Sequence, residues 1–347
     1  MTRRHPRRPR EIGSDLPRPV VIAIGGNSLI RDGERGTVEE QLRNAGETCE
    51  AIASIVAAGY RVVVTHGNGP QVGDALLRSE LAAAQVPPLP LDFCGAETQG
   101  SVGYVLQQML GDALRRRGLS HPVVTVVTQV VVDANDAAFR KPTKPIGPFY
   151  TREEAEQRAR ELGWHIVEDA GRGFRRVVPS PEPREIVELV AIRQCLAGGA
   201  VVIAVGGGGI PVVRDTEASG GRLRGIEAVI DKDRASNLLA TSLRAQVFLI
   251  STSVDGVAMN YRQPSQRFLD SLTVAEARRF LAQGHFPPGS MGPKIEAAIA
   301  FLENGGELVV ITSPVGLAGA LEGTSGTRIL SERAARAIPP RRVAQAG

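Results

Sequence analysis

The sequence predicts an α/β protein with an open, mainly parallel central sheet, helices on both faces and a small protruding lid subdomain. Three observations carry this. Runs such as Val20-Val-Ile-Ala-Ile24 and Val201-Val-Ile-Ala-Val205 are apolar without alternation, as strands buried on both faces are. Each passes into a glycine-rich loop, and segments with apolar residues at helical spacing lie between them, the alternation that builds parallel sheets. Residues 136–183 instead turn to proline, charge and aromatics, the composition of an excursion from the sheet.

In chain order, the first strand runs into Gly25-Gly26-Asn27, where an amide at a strand end can donate to an oxyanion. Leu42, Ala45, Cys49, Ile52, Ile55 and Val56 then fall on one helical face, and Gly59 closes that helix. A strand over 61–65 enters His66-Gly-Asn-Gly-Pro-Gln-Val-Gly73. This G-x-G-x-x-x-G spacing is not the dinucleotide fingerprint, and no GxxxxGK[ST] loop occurs anywhere. A helix is expected over 96–117, a single strand over 123–132, and a charged helix over 151–163 within the excursion. A further helix over 185–197 leads back to the sheet at Val201, and Gly206-Gly-Gly-Gly209 follows. Successive amides in such a loop can form an anion nest. Strands over 247–252 and 308–312 complete the pattern, with Ser253, Asp255 and Asn260 just past the first of them. Lys294 opens a helix behind Pro293.

Composition bounds the function classes. The 347 residues are 42% hydrophobic, with no apolar run near the roughly 18 residues of a membrane span. Met1–Pro19 carries six arginines against Glu11 and Asp15, so the net charge of +4 belongs to this segment and the rest is balanced. We expect 1–19 to be a disordered basic tail, 20–330 a folded domain with the lid inserted at about 136–183, and 331–347 a C-terminal tail. A basic nucleic-acid face is not indicated. Three scattered cysteines, Cys49, Cys94 and Cys195, fit a reducing, cytoplasmic setting and argue against structural zinc, and the five histidines form no metal motif.

Only four of the 41 cationic side chains are lysine: Lys141, Lys144, Lys232 and Lys294. Lysine is a compact, flexible point charge that can follow a moving phosphoryl group, whereas arginine is a rigid fork. Lys232 lies between Asp231 and Asp233 at the expected start of a helix, where anions are favoured. Lys144 sits on the proline-stiffened excursion. Positive groups at strand ends, without a nucleophile and base pair or a GxSxG elbow, suit phosphoryl transfer, which is mostly positioning and charge neutralisation.

Through Ile24–Asn27, His66–Gly73, Pro142-Thr-Lys-Pro-Ile-Gly147, Gly206–Pro211, Glu227–Asp233 and Gly289-Ser-Met-Gly-Pro-Lys294, the chain resembles the carbamate kinase family of the amino acid kinase superfamily. The likeness covers about 20–330, and Pro142–Gly147 and Ile230-Asp-Lys-Asp233 are its more specific parts. It implies the amino acid kinase fold, a homodimer, and reversible phosphoryl transfer between ADP and carbamoyl phosphate, giving ATP and carbamate, with Mg²⁺ on the nucleotide. Arginine metabolism, agmatine or purine breakdown would supply the substrate. By the same resemblance, Gly25, Gly26, Asn27, Gly67, Asn68 and Gly69 hold the carbamoyl phosphate side. Lys144, Lys232 and Lys294 neutralise the phosphoryl group, and Asp233 holds the lysines in register. Gly206, Gly207, Gly208, Gly209, Ser253, Asp255 and Asn260 line the nucleotide. Small residues at Ser253 and Ala258 depart from the acidic or polar residue and the aromatic that the family places there. Two other readings of these residues stay open. One is a relative with a different carboxylate or phosphonate acceptor, and the other is a non-catalytic nucleotide-binding homologue.

Overall fold

The computed structural model describes residues 18–31, 33–168, 173–215, 220–261, 263–287 and 289–337. Most of the expected N-terminal tail and the end of the C-terminal one lie outside them.

Strand β1 (Val20–Ile24), helix α1 (Val38–Ala57) and strand β2 (Val62–His66) open the chain. α1 begins on a capping box, in which the Glu40 amide donates to Thr37 Oγ1 and the Thr37 amide donates back to the Glu40 carboxylate. Two otherwise orphaned helix donors are thereby satisfied. Next come α2 (Gly69–Ala82), α3 (Leu91–Arg116), β3 (Val123–Thr125) and β4 (Gln129–Val131). The excursion holds β5 (Lys144–Tyr150), α4 (Arg152–Leu162), β6 (His165–Glu168) and β7 (Phe174–Val178). β8 (Glu185–Ile186), α5 (Leu189–Ala197), β9 (Val201–Ile203), β10 (Ile210–Arg214), β11 (Leu223–Gly225) and α6 (Lys232–Ser242) return to the main body. The chain continues through β12 (Val247–Ser251), β13 (Ala258–Met259), β14 (Arg267–Phe268), β15 (Ser271–Thr273), α7 (Val274–Ala282) and α8 (Met291–Glu303). β16 (Leu308–Thr312), α9 (Leu317–Ala320), β17 (Thr327–Leu330) and α10 (Glu332–Ala337) finish it.

Eight strands form the main sheet in the order β15-β17-β16-β12-β1-β2-β9-β3, parallel at every pairing except β16 with β17. Side chains of β1 alternate between two cores. Val21 and Ala23 join Ile192, Leu239, Ala277 and Ile299 from α5, α6, α7 and α8. Val20, Ile22 and Ile24 join Ile52, Leu106 and Leu317 from α1, α3 and α9. Both faces are covered, which is why the strand reads as a continuous apolar run. Fully burying each such side chain contributes about 1.5–3 kcal/mol. Among the described residues no helix is long and apolar enough to cross a membrane.

The structure revises three of the expected elements. The single strand over 123–132 is two strands, and β4 belongs to a second sheet ordered β11-β10-β4-β8. The break falls at Thr128, whose amide donates to Gln99 Oε1 while Gln99 Nε2 donates to the Thr128 and Gly206 carbonyls. A buried side chain takes the Thr128 amide, while the Thr128 carbonyl also accepts from the Ile210 amide, so the chain changes sheets at this residue. The helix expected over 185–197 starts as β8, because residues 185–186 pair with β4 before α5 begins at Leu189. α3 starts at Leu91 rather than near 96, behind Pro90.

β5, β7 and β6 make a separate three-stranded antiparallel sheet. Its interior is aromatic and arginine-rich. Tyr150 and Trp164 meet edge to face at 5.6 Å, and the Arg158 and Arg176 guanidiniums lie 5.3 Å and 4.9 Å from the Trp164 ring centre. Cation–π stacking suits a unit too small for a large aliphatic core. This sheet touches α2 most closely where Gly73 faces Gly147, since a Cβ at Gly73 would lie 1.9 Å from the Gly147 Cα. Gly73→Ala should therefore force the sheet off α2 and cost about 1–3 kcal/mol by overpacking. Urea denaturation beside the parent protein measures it, and an unchanged midpoint would show that the contact yields freely.

Candidate active site

The site is built at the start of α6. Asp231 is the N-cap: its Oδ1 accepts from the Asp233 amide at 2.9 Å and the Arg234 amide at 3.3 Å. That cap holds Lys232 and Asp233 in the first turn. The second Asp231 oxygen accepts from Lys144 Nζ, which reaches in from β5 at 2.5 Å. Asp233 is bracketed in turn, with Lys232 Nζ 2.7 Å from Oδ1 and Lys294 Nζ 3.1 Å from Oδ2. Three lysines from three separate parts of the chain thus meet the two aspartates on either side of Lys232, leaving one net positive charge. Asp233 is 4% exposed, and Lys232 and Lys294 are 12% and 14% exposed, so these charges interact with little screening.

The protonation states follow from burial and pairing. Burial pushes the Asp233 carboxyl up, but the two ammonium groups and their hydrogen bonds outweigh it and hold it well below the usual carboxylate range. Burial raises Asp231 too, and Lys144 brings it below its ordinary value. Lys232 is lowered by burial, only partly restored by Asp233, and further lowered by Lys294. Lys294 is also buried, yet Asp233 more than compensates and raises it.

Three glycine loops converge on this cluster because adjacent parallel strands deliver their C-terminal ends to one edge. The backbone at Gly25 and Gly26 leads into a 3-10 turn over Gly26–Ser28, and the Asn27 side chain lies outside the described atoms. A Cβ at Gly67 would lie 3.2 Å from Lys232 Cδ and 3.4 Å from the Gly26 nitrogen, so this loop packs onto both the lysine and the first loop. Gly69 opens α2, with Pro70 in its first turn. Asn68 turns inward: it is 5% exposed and its Nδ2 donates to Thr98 Oγ1, so its side chain props the loop.

Gly206–Gly209 form the third loop, and all four are buried. A Cβ at Gly206, Gly207 or Gly208 would lie within 2.4 Å of His66 Nε2, Asn68 Nδ2 or the Ile230 carbonyl respectively. The Gly208 and Gly209 amides donate to the Val205 and Gly206 carbonyls, so the loop offers fewer free donors than a four-amide nest. Its glycines serve close packing first. Just before them Val205, β-branched, sits at φ 54, a strained backbone that the sequence did not signal. Ser253 and Asp255 are exposed on the loop after β12, and Asn260, at φ 52, donates from Nδ2 to Ser265 Oγ. Among the described residues no hydrogen bond joins these three to the lysine cluster.

Asp231, expected as a carboxylate flanking Lys232, has a partner that the sequence did not signal, and His66 was assigned no role. Asp231 pairs with Lys144, and its signal was an aspartate one place before the helical run. His66 ends β2 beneath Gly206 and donates from Nδ1 to the Gly67 carbonyl at 3.0 Å. Burial pushes its imidazole down to about 4, the Gly67 bond only partly opposing this and Lys232 adding to it.

The family model for the amino acid kinase family matches residues 18–313. The chain belongs to the amino acid kinase family. Among its members, carbamate kinase of Thermococcus kodakarensis is 50% identical over 90% of this chain and 99% of its own length. The carbamate kinase-like protein YahI of Escherichia coli is 47% identical over 90% and 98%. The structure of Giardia lamblia carbamate kinase bound to AMP-PNP superposes with a TM-score of 0.83, at 42% identity over 91% of this chain and 99% of that one. The expected amino acid kinase fold is thereby established.

Two predictions test the physical account of this amino acid kinase site. Asp233→Asn leaves two buried ammonium groups short of a counter-charge and should destabilise the fold by about 3–5 kcal/mol in chemical denaturation. For His66, the folded value of about 4 lies below the unfolded 6.5, so the unfolded chain takes up the proton first. Its contribution is complete above about pH 6.5 and falls by about 3 kcal/mol as the pH drops to about 4. Denaturation at about pH 7.5 and about pH 4.5 should show this loss, and His66→Gln should lack that component.

Proposed function

We propose that this chain catalyses reversible phosphoryl transfer between carbamoyl phosphate and ADP, giving carbamate and ATP. The observation that carries the reading is the convergence of Lys144, Lys232 and Lys294 on Asp231 and Asp233 beside three glycine loops. Near-full-length similarity to carbamate kinases supports this substrate over other acceptors in the family.

In the forward step a terminal oxygen of the ADP β-phosphate attacks the phosphorus of carbamoyl phosphate. The bond from phosphorus to the carbamate oxygen breaks, and carbamate leaves as an anion. No proton has to move, so no general base is needed. The three lysines offset the negative charge of the phosphoryl group in flight. Asp233 keeps Lys232 and Lys294 pointed at it. Gly25, Gly26 and the Gly67–Gly69 backbone hold the carbamoyl phosphate end. Gly206–Gly209 and the 253–260 segment flank the nucleotide. The sheet of β5, β6 and β7 acts as the lid that brings Lys144 over the substrate.

A magnesium ion on the nucleotide would neutralise phosphate charge. Asp231 and Asp233 are both engaged by lysines, and among the described residues no group of three or more His, Cys, Asp or Glu gathers to cage a metal. This donor set fits an ion carried mainly by phosphate oxygens and water. We also propose a homodimer, consistent with Phe93 and Tyr104 exposed at 58% and 64%, eleven residues apart on α3. The free thiols Cys49, Cys94 and Cys195 suit the cytoplasm.

The deciding assay is ATP formation from ADP, Mg²⁺ and carbamoyl phosphate. Lys144→Ala and Lys232→Ala should each reduce the rate on the order of 10²–10³-fold, by analogy with loss of an oxyanion donor. A parent protein that binds ADP but makes no ATP would point to a different acceptor.

A further inference from the structure

We propose that Glu80 and Arg176 are positioning residues that fix Lys144 above the substrate loop by clamping the lid to α2. The placement of both residues leads to this. α2 starts at Gly69, the end of the substrate loop, and Glu80 lies in its last turn. Arg176 is on β7, the central lid strand. It pairs with Ile146 of β5, two residues from Lys144, and Val178, two residues further along β7, pairs with Lys144 itself. Arg176 Nη1 donates to Glu80 Oε1 at 2.7 Å, and both side chains are only 22% exposed.

The lid packs on α2 through an apolar cluster, Val72 and Leu76 with Ile146 and Val178, and makes two further contacts. One is the backbone contact of Gly73 with Gly147, and the other is the Arg176–Glu80 pair seven residues further along the helix. At 1.5 Å per residue these points are roughly 10 Å apart. The apolar cluster is non-directional, whereas the two spaced contacts set the direction of the lid. The arginine is itself held, because its guanidinium stacks 4.9 Å from the Trp164 ring centre.

A second observation lies at the same junction. Glu80 Oε2 and Trp164 Nε1 are buried without a protein partner, and both residues line one small cavity together with Gly73, Gly147, Tyr150 and Arg176. One is an acceptor and the other a donor, and a water bound in this cavity would supply the partner that each lacks. The clamp is then a connected set running from Trp164 through Arg176 to Glu80. An exposed ion pair would contribute little. This one is half-buried where the element that carries Lys144 meets α2, and misplacement of a site group by about 1 Å can cost on the order of 10²-fold in rate.

The kinetic arm of the test rests on the carbamate kinase reading, and the other two do not. Arg176→Met, Arg176→Lys and Glu80→Gln are compared with the parent protein. With carbamoyl phosphate, ADP and Mg²⁺, Arg176→Met should lower kcat on the order of 10–100-fold, leave KM for ADP within about twofold, and be partly rescued in Arg176→Lys. Hydrogen exchange of the β5 and β7 amides should speed up by about tenfold or more in Arg176→Met and Glu80→Gln, while β1, β2 and β12 stay protected. Emission from Trp164, the single tryptophan of the chain, should shift to the red as the cavity opens. Unchanged lid exchange and emission in both variants overturn the clamp, as does a loosened lid with unchanged kcat. A parent protein inactive with carbamoyl phosphate overturns the functional reading alone, and exchange and emission then decide the clamp.

Discussion

One carboxylate with almost no access to water, that of Asp233, is the charge on which the site depends. Lys232 and Lys294 come from different helices and would repel each other if brought together alone. Between them Asp233 offers one oxygen to each, at 2.7 and 3.1 Å, and its own burial is tolerable only because both are present. Such an arrangement is poor evidence for stability, since desolvating three charges offsets much of their attraction. What it secures is geometry. Two ammonium groups are held in a fixed relation before any ligand arrives, with little reorganisation left for the reaction.

The backbone carries the other half of that preorganisation. Strands β12, β1, β2 and β9 are neighbours and parallel, so the loops that follow β1, β2 and β9 lie side by side. Their close approach depends on missing side chains. Gly207 leaves room for Asn68, Gly208 for the Ile230 carbonyl, and Gly67 for the stem of Lys232. Sheet topology brings the loops together, and glycine lets them touch.

The sequence exposed some of this and hid the rest for definable reasons. Lys144, Lys232 and Lys294 stood out because lysine is rare in an arginine-rich chain, and continuous β-branched runs marked the doubly covered strands. Local spacing also placed Asp231 and Asp233 at a helix start. The pairing of Lys144 with Asp231, 87 residues away, leaves no mark in local spacing. Asn68 read as a residue facing a ligand because it sits between glycines, yet Thr98, thirty positions on, turns it inward. The strand expected over 123–132 failed for the same reason, since Gln99 of α3 takes the Thr128 amide. Apolar patterning identifies elements, and long-range polar contacts decide where they break and which way a side chain faces.

The scarcity of lysine has a chemical consequence as well. An acyl phosphate, such as the proposed substrate, is an electrophile towards free amines, whereas a protonated guanidinium is a poor nucleophile because it stays charged at any physiological pH. Of the four ε-amino groups, three are tied to carboxylates at the site, and Lys141 lies on the exposed surface. A surface written in arginine leaves an acyl phosphate few exposed amines to acylate.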